Sequence, residues 1–294
     1  MNNLRRTLSL LLALVMLVAL GAFASAEDNA AAEEAAVTLT DEDVASLSYL
    51  NGQLRVGMEC AYAPNNWQES EASDTNVPIE NVPGAYAEGY DVQIARIIAD
   101  QLGLELVVVK MDWDGLIEAL NQGQIDAIIA GMADTESRKE AINFTSPYHE
   151  TVYALMVNAG TQYENATSLA DFNGASVLGQ KDTALDWTID QIEGVNHLTA
   201  VASVPDMIAR LQQGTCDAIV INLENAPGYL AANPDFVVIS FPEGEGLDPG
   251  FKGACVGLRK SDDALLSLAD AVLATIDQEQ RDELWETALT NQPT

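Results

Sequence analysis

Cysteine, histidine and basic residues are scarce in this chain of 294 residues, and each shortage removes a class of function. The three cysteines, Cys60, Cys216 and Cys255, are too few and too scattered for a disulfide framework, and an odd count leaves at least one unpaired in a monomer. Cys60 reads as a small, inert apolar residue. With histidine only at His149 and His197, no zinc spacing exists, so no metal and no cofactor are expected. The sequence lacks Gly-x-Ser-x-Gly, His-Glu-x-x-His and a phosphate-loop glycine pattern, and with them any recognisable catalytic constellation. Lysine and arginine number 13 against 45 acids, a net charge of −32. That balance argues against nucleic acid and anionic membrane surfaces as partners, and the acids, spread along the chain, read mainly as a solvated surface.

A long apolar run occurs at the beginning. Arg5 and Arg6 precede the apolar residues 8–23 and then Ala24-Ser25-Ala26, the pattern of an export signal over residues 1–26. The run is shorter than the roughly 20 residues of a membrane span, and no later segment is as apolar. The mature protein is therefore expected in the periplasm or at the extracellular face of a bacterial cell membrane. Its charge would be 11 − 45 = −34 over 268 residues. Residues 27–49, rich in Ala, Glu and Asp, read as a flexible acidic leader.

Beyond the leader, strand and helix patterns alternate, which predicts an α/β fold. Residues 54–58 and 104–110 read as core strands, and Tyr90-Asp91 opens a helix between them. Residues 68–88, with two prolines and few bulky apolar side chains, read as a surface excursion. Leu116, Ile117 and Leu120 place an apolar stripe on a helix that Gly123 ends, and residues 125–130 suit a strand buried on both faces. The loop Gly131-Met132-Ala133-Asp134 leaves the carboxyl end of that strand, where open α/β sheets bind ligands. Thr135-Glu136-Ser137-Arg138 follows as a helix start, capped by Asp134 or Thr135. Backbone N–H groups there, with an arginine one turn in, make a site for a carboxylate.

The chain repeats itself. LIEALNQGQIDAIIAG at 116–131 matches MIARLQQGTCDAIVIN at 207–222 in seven of sixteen positions, and Asn51-Gly52 precedes Gly57 as Asn173-Gly174 precedes Gly179. Two like lobes with a cleft between them follow from this plan. The repeat sets Gly131 opposite Asn222 and gives Asp126 and Asp217 one shared structural role outside the site.

GYDVQIARIIADQLGLELVVV, WDGLIEALNQGQIDAIIAGM and SRKEAINFTSPY, in that order, resemble the solute-binding proteins of polar amino-acid ABC transporters, the bacterial extracellular solute-binding proteins of family 3. The likeness covers most of residues 52–290. It implies two Rossmann-like lobes joined by a two-strand hinge, a periplasmic-binding-protein-like fold of type II with a ligand cleft between the lobes. Lobe 1 would comprise residues 50–151 and 250–294, and lobe 2 residues 152–249. The implied function is capture of a polar or basic amino acid by hinge closure, by a monomer that is not an enzyme, and delivery to a membrane permease. By position, the resemblance assigns Arg138 to the ligand α-carboxylate, with Gly131 and Ala133 offering backbone N–H groups to the same group. Ala133 stands where serine or threonine is common, so a hydroxyl is missing. Thr183 matches the second-lobe residue that reaches the carboxylate on closure, although its loop reads Lys181-Asp182-Thr183-Ala184 instead of Gln-Gly-Thr-Thr. Tyr62 and Trp113 match aromatic positions that sandwich the ligand side chain, and Asn66 and Trp67 adjoin them. Glu59 either accepts from a cationic side chain or sits at the rim. Asn222 replaces the acid expected on the ligand ammonium, with Glu224 or Glu59 as compensating charges. The alternatives are a dehydratase-like enzyme on this fold, using Lys181 or Glu224, and a ligand-sensing module for a membrane receptor.

Overall fold

The computed structural model describes residues 37–293, so the export signal and leader residues 27–36 lie outside the described residues. The end of the leader carries a short helix. Thr40 caps helix α1 (Asp41–Ser46) in a reciprocal capping box with Asp43, and Leu47 and Leu50 just beyond are buried. Those two leucines give an otherwise acidic segment an apolar anchor. A left-handed Asn51 then turns the chain into β1 (Gln53–Met58).

Four short strands follow: β2 (Ala61–Tyr62), β3 (Asn66–Glu69), β4 (Val77–Pro78) and β5 (Tyr86–Glu88). They form an antiparallel sheet in the order β2-β3-β5-β4, where the sequence predicted only a surface excursion. Polar pins replace hydrophobic alternation here. The buried Asn66 accepts from Cys60 N at 2.8 Å and donates to Asp91 at 2.8 Å, while the buried Glu88 accepts from Ser73 and Thr75.

The first lobe continues through α2 (Tyr90–Gln101), β6 (Glu105–Lys110), α3 (Leu116–Asn121), β7 (Ala127–Ile128), α4 (Glu136–Ala141) and β8 (Asn143–Phe144). The chain crosses at β9 (His149–Glu150) into β10 (Tyr153–Asn158), β11 (Ser176–Leu178), α5 (Ala184–Trp187), β12 (Asn196–His197), α6 (Val204–Gln212), β13 (Ala218–Asn222), α7 (Ala226–Ala232) and β14 (Phe236–Ile239). It returns through β15 (Gly253–Ala254) to β16 (Gly257–Leu258), α8 (Asp263–Thr275) and α9 (Gln278–Asn291). Helix α1 packs on α8.

Two five-stranded sheets result, ordered β6-β1-β7-β16-β8 and β12-β11-β13-β10-β14. In the first sheet β1 lies between two parallel neighbours, in the second β11 does, and antiparallel pairings complete the far side of each. The repeat is visible down to single side chains. Asp126 N donates to Arg55 O while its carboxylate accepts from Arg55 N, and Asp217 makes the same pair of bonds with Ser176. Both aspartates thus tie the head of one strand to its neighbour and stay outside the cleft. Between the sheets, β9 and β15 pair antiparallel, Gly253 opposite Glu150. A Cβ on Gly253 would stand 1.9 Å from His149 O, so only glycine lets the two crossings lie together.

Candidate functional site

The cleft loops are held by polar groups beneath them. Asp91, buried at the start of α2, accepts from Tyr148 Oη at 2.7 Å, and Tyr148 Oη accepts from Gly131 N at 3.0 Å. Burial pushes the Asp91 carboxyl up, against the hydrogen bonds from Tyr148 and Asn66. Gly131 itself has φ +63, and a Cβ there would meet Tyr62 Cε1 at 3.1 Å. Glycine is needed for the turn and for the approach of the tyrosine. The loop then enters α4, where Thr135 rather than Asp134 is the cap; its hydroxyl accepts from Arg138 N, and Asp134 pairs with Lys139.

Arg138 projects from that turn into a cavity between the lobes. Glu59, Tyr62, Trp113, Gly131, Ala133 and Arg138 line it from the first lobe, and Thr183 and Asn222 from the second. These eight of the residues singled out from the sequence therefore meet at one place. The space they leave is about 40 Å³, room for a few waters and too small for an amino acid unless the lobes part.

The groups pair with one another across the cleft. Arg138 Nη1 donates to Ala133 O at 2.9 Å and Nη2 to Asp182 O of the second lobe at 2.8 Å. Its guanidinium lies 5.1 Å from the centroid of the Trp113 ring, and Trp113 Nε1 also reaches Asp182 O at 3.4 Å. Trp113 thus supports the arginine. Burial pulls the guanidinium down to about 10. Tyr62 Oη donates to Asn222 Oδ1, and burial drives the Tyr62 hydroxyl well above its ordinary value, with the nearby Glu224 charge adding to the rise. Glu59 accepts from Gln180 Nε2 at 3.2 Å. Its carboxyl is pushed up to about 7, first by burial and then by the charges of Asp112 and Asp114, against the Gln180 bond. Such a group is poised to ionise for a cation.

Several expectations change at atomic detail. The Gly131 N–H, assigned to a ligand carboxylate, is donated to Tyr148. The Thr183 hydroxyl is engaged as the cap of α5, accepting from Leu185 N and donating to Gln180 O. Glu224 does not line the cavity; it lies 3.6 Å from His149 Nε2 and accepts from Val152 N. Lys181 is on the rim, paired with Asp114 at 3.1 Å. Asn66 and Trp67 are buried supports, the indole of Trp67 donating to Glu69. Cys60 is buried, and burial pushes its thiol up to about 12, which suits an inert residue. Sequence reasoning missed Tyr153, Gln180, Leu185 and Phe251 as lining residues. Tyr153 opens the strand whose first pair is with Asn222, and it is this pairing across the sheet that brings it to the cleft.

Comparison with known proteins agrees with the fold. The profile of the bacterial extracellular solute-binding proteins, family 3, matches residues 54–287. A probable histidine-binding protein of Campylobacter jejuni is 29% identical over 216 residues, 71% of this chain and 70% of that one. An L-arginine-binding protein of Pseudomonas aeruginosa is 25% identical over 236 residues, 75% of this chain and 81% of its own. Among solved structures, an amino acid ABC transporter substrate-binding protein of Streptococcus pneumoniae bound to L-arginine superposes with a TM-score of 0.73 at 25% identity, covering 86% of this chain and 99% of that one. Holo ArgBP of T. maritima gives 0.65 at 28%, covering 85% and 99%. No helix among the described residues is long and apolar enough to cross a membrane. With two α/β lobes, a two-strand hinge and a cleft between them, the chain belongs to the bacterial extracellular solute-binding proteins of family 3, a family of binding proteins.

Proposed function

We propose that this chain is the exported solute-binding component of an ABC importer and that it captures a cationic amino acid. The observation that carries the proposal is one guanidinium and one carboxyl, both half-buried and facing the same interlobe cavity, Arg138 and Glu59. An amino acid with a basic side chain brings the opposite charge to each: its α-carboxylate to Arg138, its cationic end to Glu59. Burying either protein charge alone is costly, and each ligand charge repays one of them. The remaining α-ammonium meets Asn222 Oδ1 and the hydroxyls of Tyr62 and Tyr153, neutral acceptors in place of an acid. The second lobe encloses the ligand with Thr183 and Gln180, and the closed form is the one a permease recognises. Relatives that bind arginine support this class of ligand.

A catalytic reading finds less support. Lys181 and Glu224, the acid–base candidates, are engaged at the rim and at the crossing strands instead of in the cavity.

Calorimetry of the mature protein with the common amino acids and polyamines tests the proposal. L-arginine or a close cationic analogue should bind, and Arg138→Ala should weaken that binding by roughly 2–5 kcal/mol, because a buried carboxylate loses its partner. If no cationic amino acid binds, or if Arg138→Ala costs less than about tenfold, the assignment is wrong.

A further inference from the structure

Trp187 ends α5, and the second lobe does not use it. The residue remains 38% exposed and stands apart from the apolar cluster that forms that lobe's core. Its ring instead lies 6.0 Å from the Arg138 guanidinium of the other lobe, which also has Trp113 at 5.1 Å. The arginine is thus attended by two indoles, one from each side of the cleft.

The backbone that carries Trp187 is unusually well fixed for a single helical turn. Thr183 caps it, and Thr188 Oγ1 ties back to Ala184 O at 2.6 Å. His197 spans Asp186 and Asp190, with 2.8 Å to each. Behind it, Gly179 closes the gap to β11 so tightly that a Cβ would stand 2.2 Å from Leu185 O. These ties hold in place a side chain that contributes little to its own lobe.

Chemistry gives the arrangement a purpose. A guanidinium binds carboxylates through its edge, where it has five N–H donors, and two of these are taken here by Ala133 O and Asp182 O. Further hydrogen-bond partners would use up that edge. Aromatic faces stabilise the desolvated charge from outside the plane and leave the remaining donors for a ligand.

The geometry points to Trp187 as a positioning residue: the second half of an interlobe indole clamp that orients Arg138 for an anionic ligand group and prolongs the closed state. This inference rests on the proposed role of Arg138, and it makes dissociation of the ligand depend on an aromatic ring outside the cavity lining.

The test uses L-arginine as probe, with binding by calorimetry and dissociation by stopped-flow fluorescence on the full mature chain. Trp187→Leu should raise the dissociation constant by about tenfold, mostly through faster dissociation, and Trp187→Phe should recover to within about threefold. The melting temperature without arginine should move by less than about 2 °C, since the lobe core does not contain this residue. In an Arg138→Lys background, Trp187→Leu should matter less than about threefold, because the planar cation is gone. For a background that binds too weakly to measure, Trp113→Phe supplies a second readout: arginine should still change its emission, and adding Trp187→Leu should remove the change. A Trp187→Leu protein that binds and releases arginine as the wild type does would overturn the clamp alone. Equal losses with and without Arg138 would make Trp187 mere packing. A wild-type protein that ignores arginine overturns the clamp together with the proposed ligand class.

Discussion

Glu59 shows how a single residue sets the conditions of binding. Its carboxyl is raised to about 7 from an ordinary value of 4.5, chiefly because it is buried. The folded chain therefore holds this proton more tightly than the unfolded chain does. Below the ordinary carboxylate range both states are protonated and the residue costs nothing. Between pH 4.5 and 7 the cost of keeping it folded rises, to about 3 kcal/mol at most, and above 7 it is fully present. Glu59→Gln should accordingly stabilise the protein at pH 8 and leave it nearly unchanged at pH 4.5, measured as urea midpoints. Binding of a cationic ligand should have the opposite sense. Wild-type affinity for L-arginine should improve from pH 5.5 to 8 as Glu59 ionises, while Glu59→Gln binds weakly and with a flat profile. A flat profile in the wild type would mean that Glu59 does not meet the ligand's cationic end. The sequence left open whether Glu59 meets a cationic side chain or sits at the rim, because position along a loop does not reveal burial. Burial depends on Gln180, from the other half of the chain, covering the carboxyl.

At the scale of elements, the internal repeat was legible because helix, glycine, aspartate and strand recur in order, and the structure gives Asp126 and Asp217 the same bonds. Less legible were elements built on contacts instead of periodicity. The sheet β2-β3-β5-β4 has strands of two to four residues pinned by Asn66, Asp91 and Glu88, which carries no alternation to read. Trp187 escaped notice as well, since nothing local to a one-turn helix says that its partner lies in the other lobe. The repeat also hides a difference. Gly57 and Gly179 are equivalent in sequence, yet a Cβ on Gly57 would press on side-chain ends of Ile125 and Leu116, and one on Gly179 on the backbone of Leu185 and Asp186. Side-chain ends can yield where backbone cannot. Gly179→Ala should therefore destabilise the protein by roughly 1–3 kcal/mol, displace α5 and weaken arginine binding. Gly57→Ala should cost less and leave affinity nearly intact. Denaturation midpoints and calorimetry on both variants check this, and equal effects at the two sites would mean that α5 moves freely.

At the scale of the whole molecule, the shortage of basic residues returns with a different meaning. On the proposed removal of residues 1–26 the protein would carry 11 − 45 = −34 charges, and a cation approaching the cleft would feel their summed field before it touched any residue. Inside the closed cavity the situation reverses, because buried charges are little screened by salt, which at 0.1 M has a Debye length of about 10 Å. Net charge should thus govern arrival and the buried groups departure. The rim pair Lys181–Asp114, both side chains 56% exposed, contributes little to either. Raising sodium chloride from 10 to 500 mM should slow association of L-arginine by about fivefold or more and leave its dissociation rate nearly constant. Glutamine, of similar size and no net charge, should show no such dependence if it binds. Stopped-flow tryptophan fluorescence separates the two rates. If arginine and glutamine associate with the same salt dependence, the acidic surface serves solubility alone, and selection of the ligand falls entirely to Arg138, Glu59 and the residues that close over them.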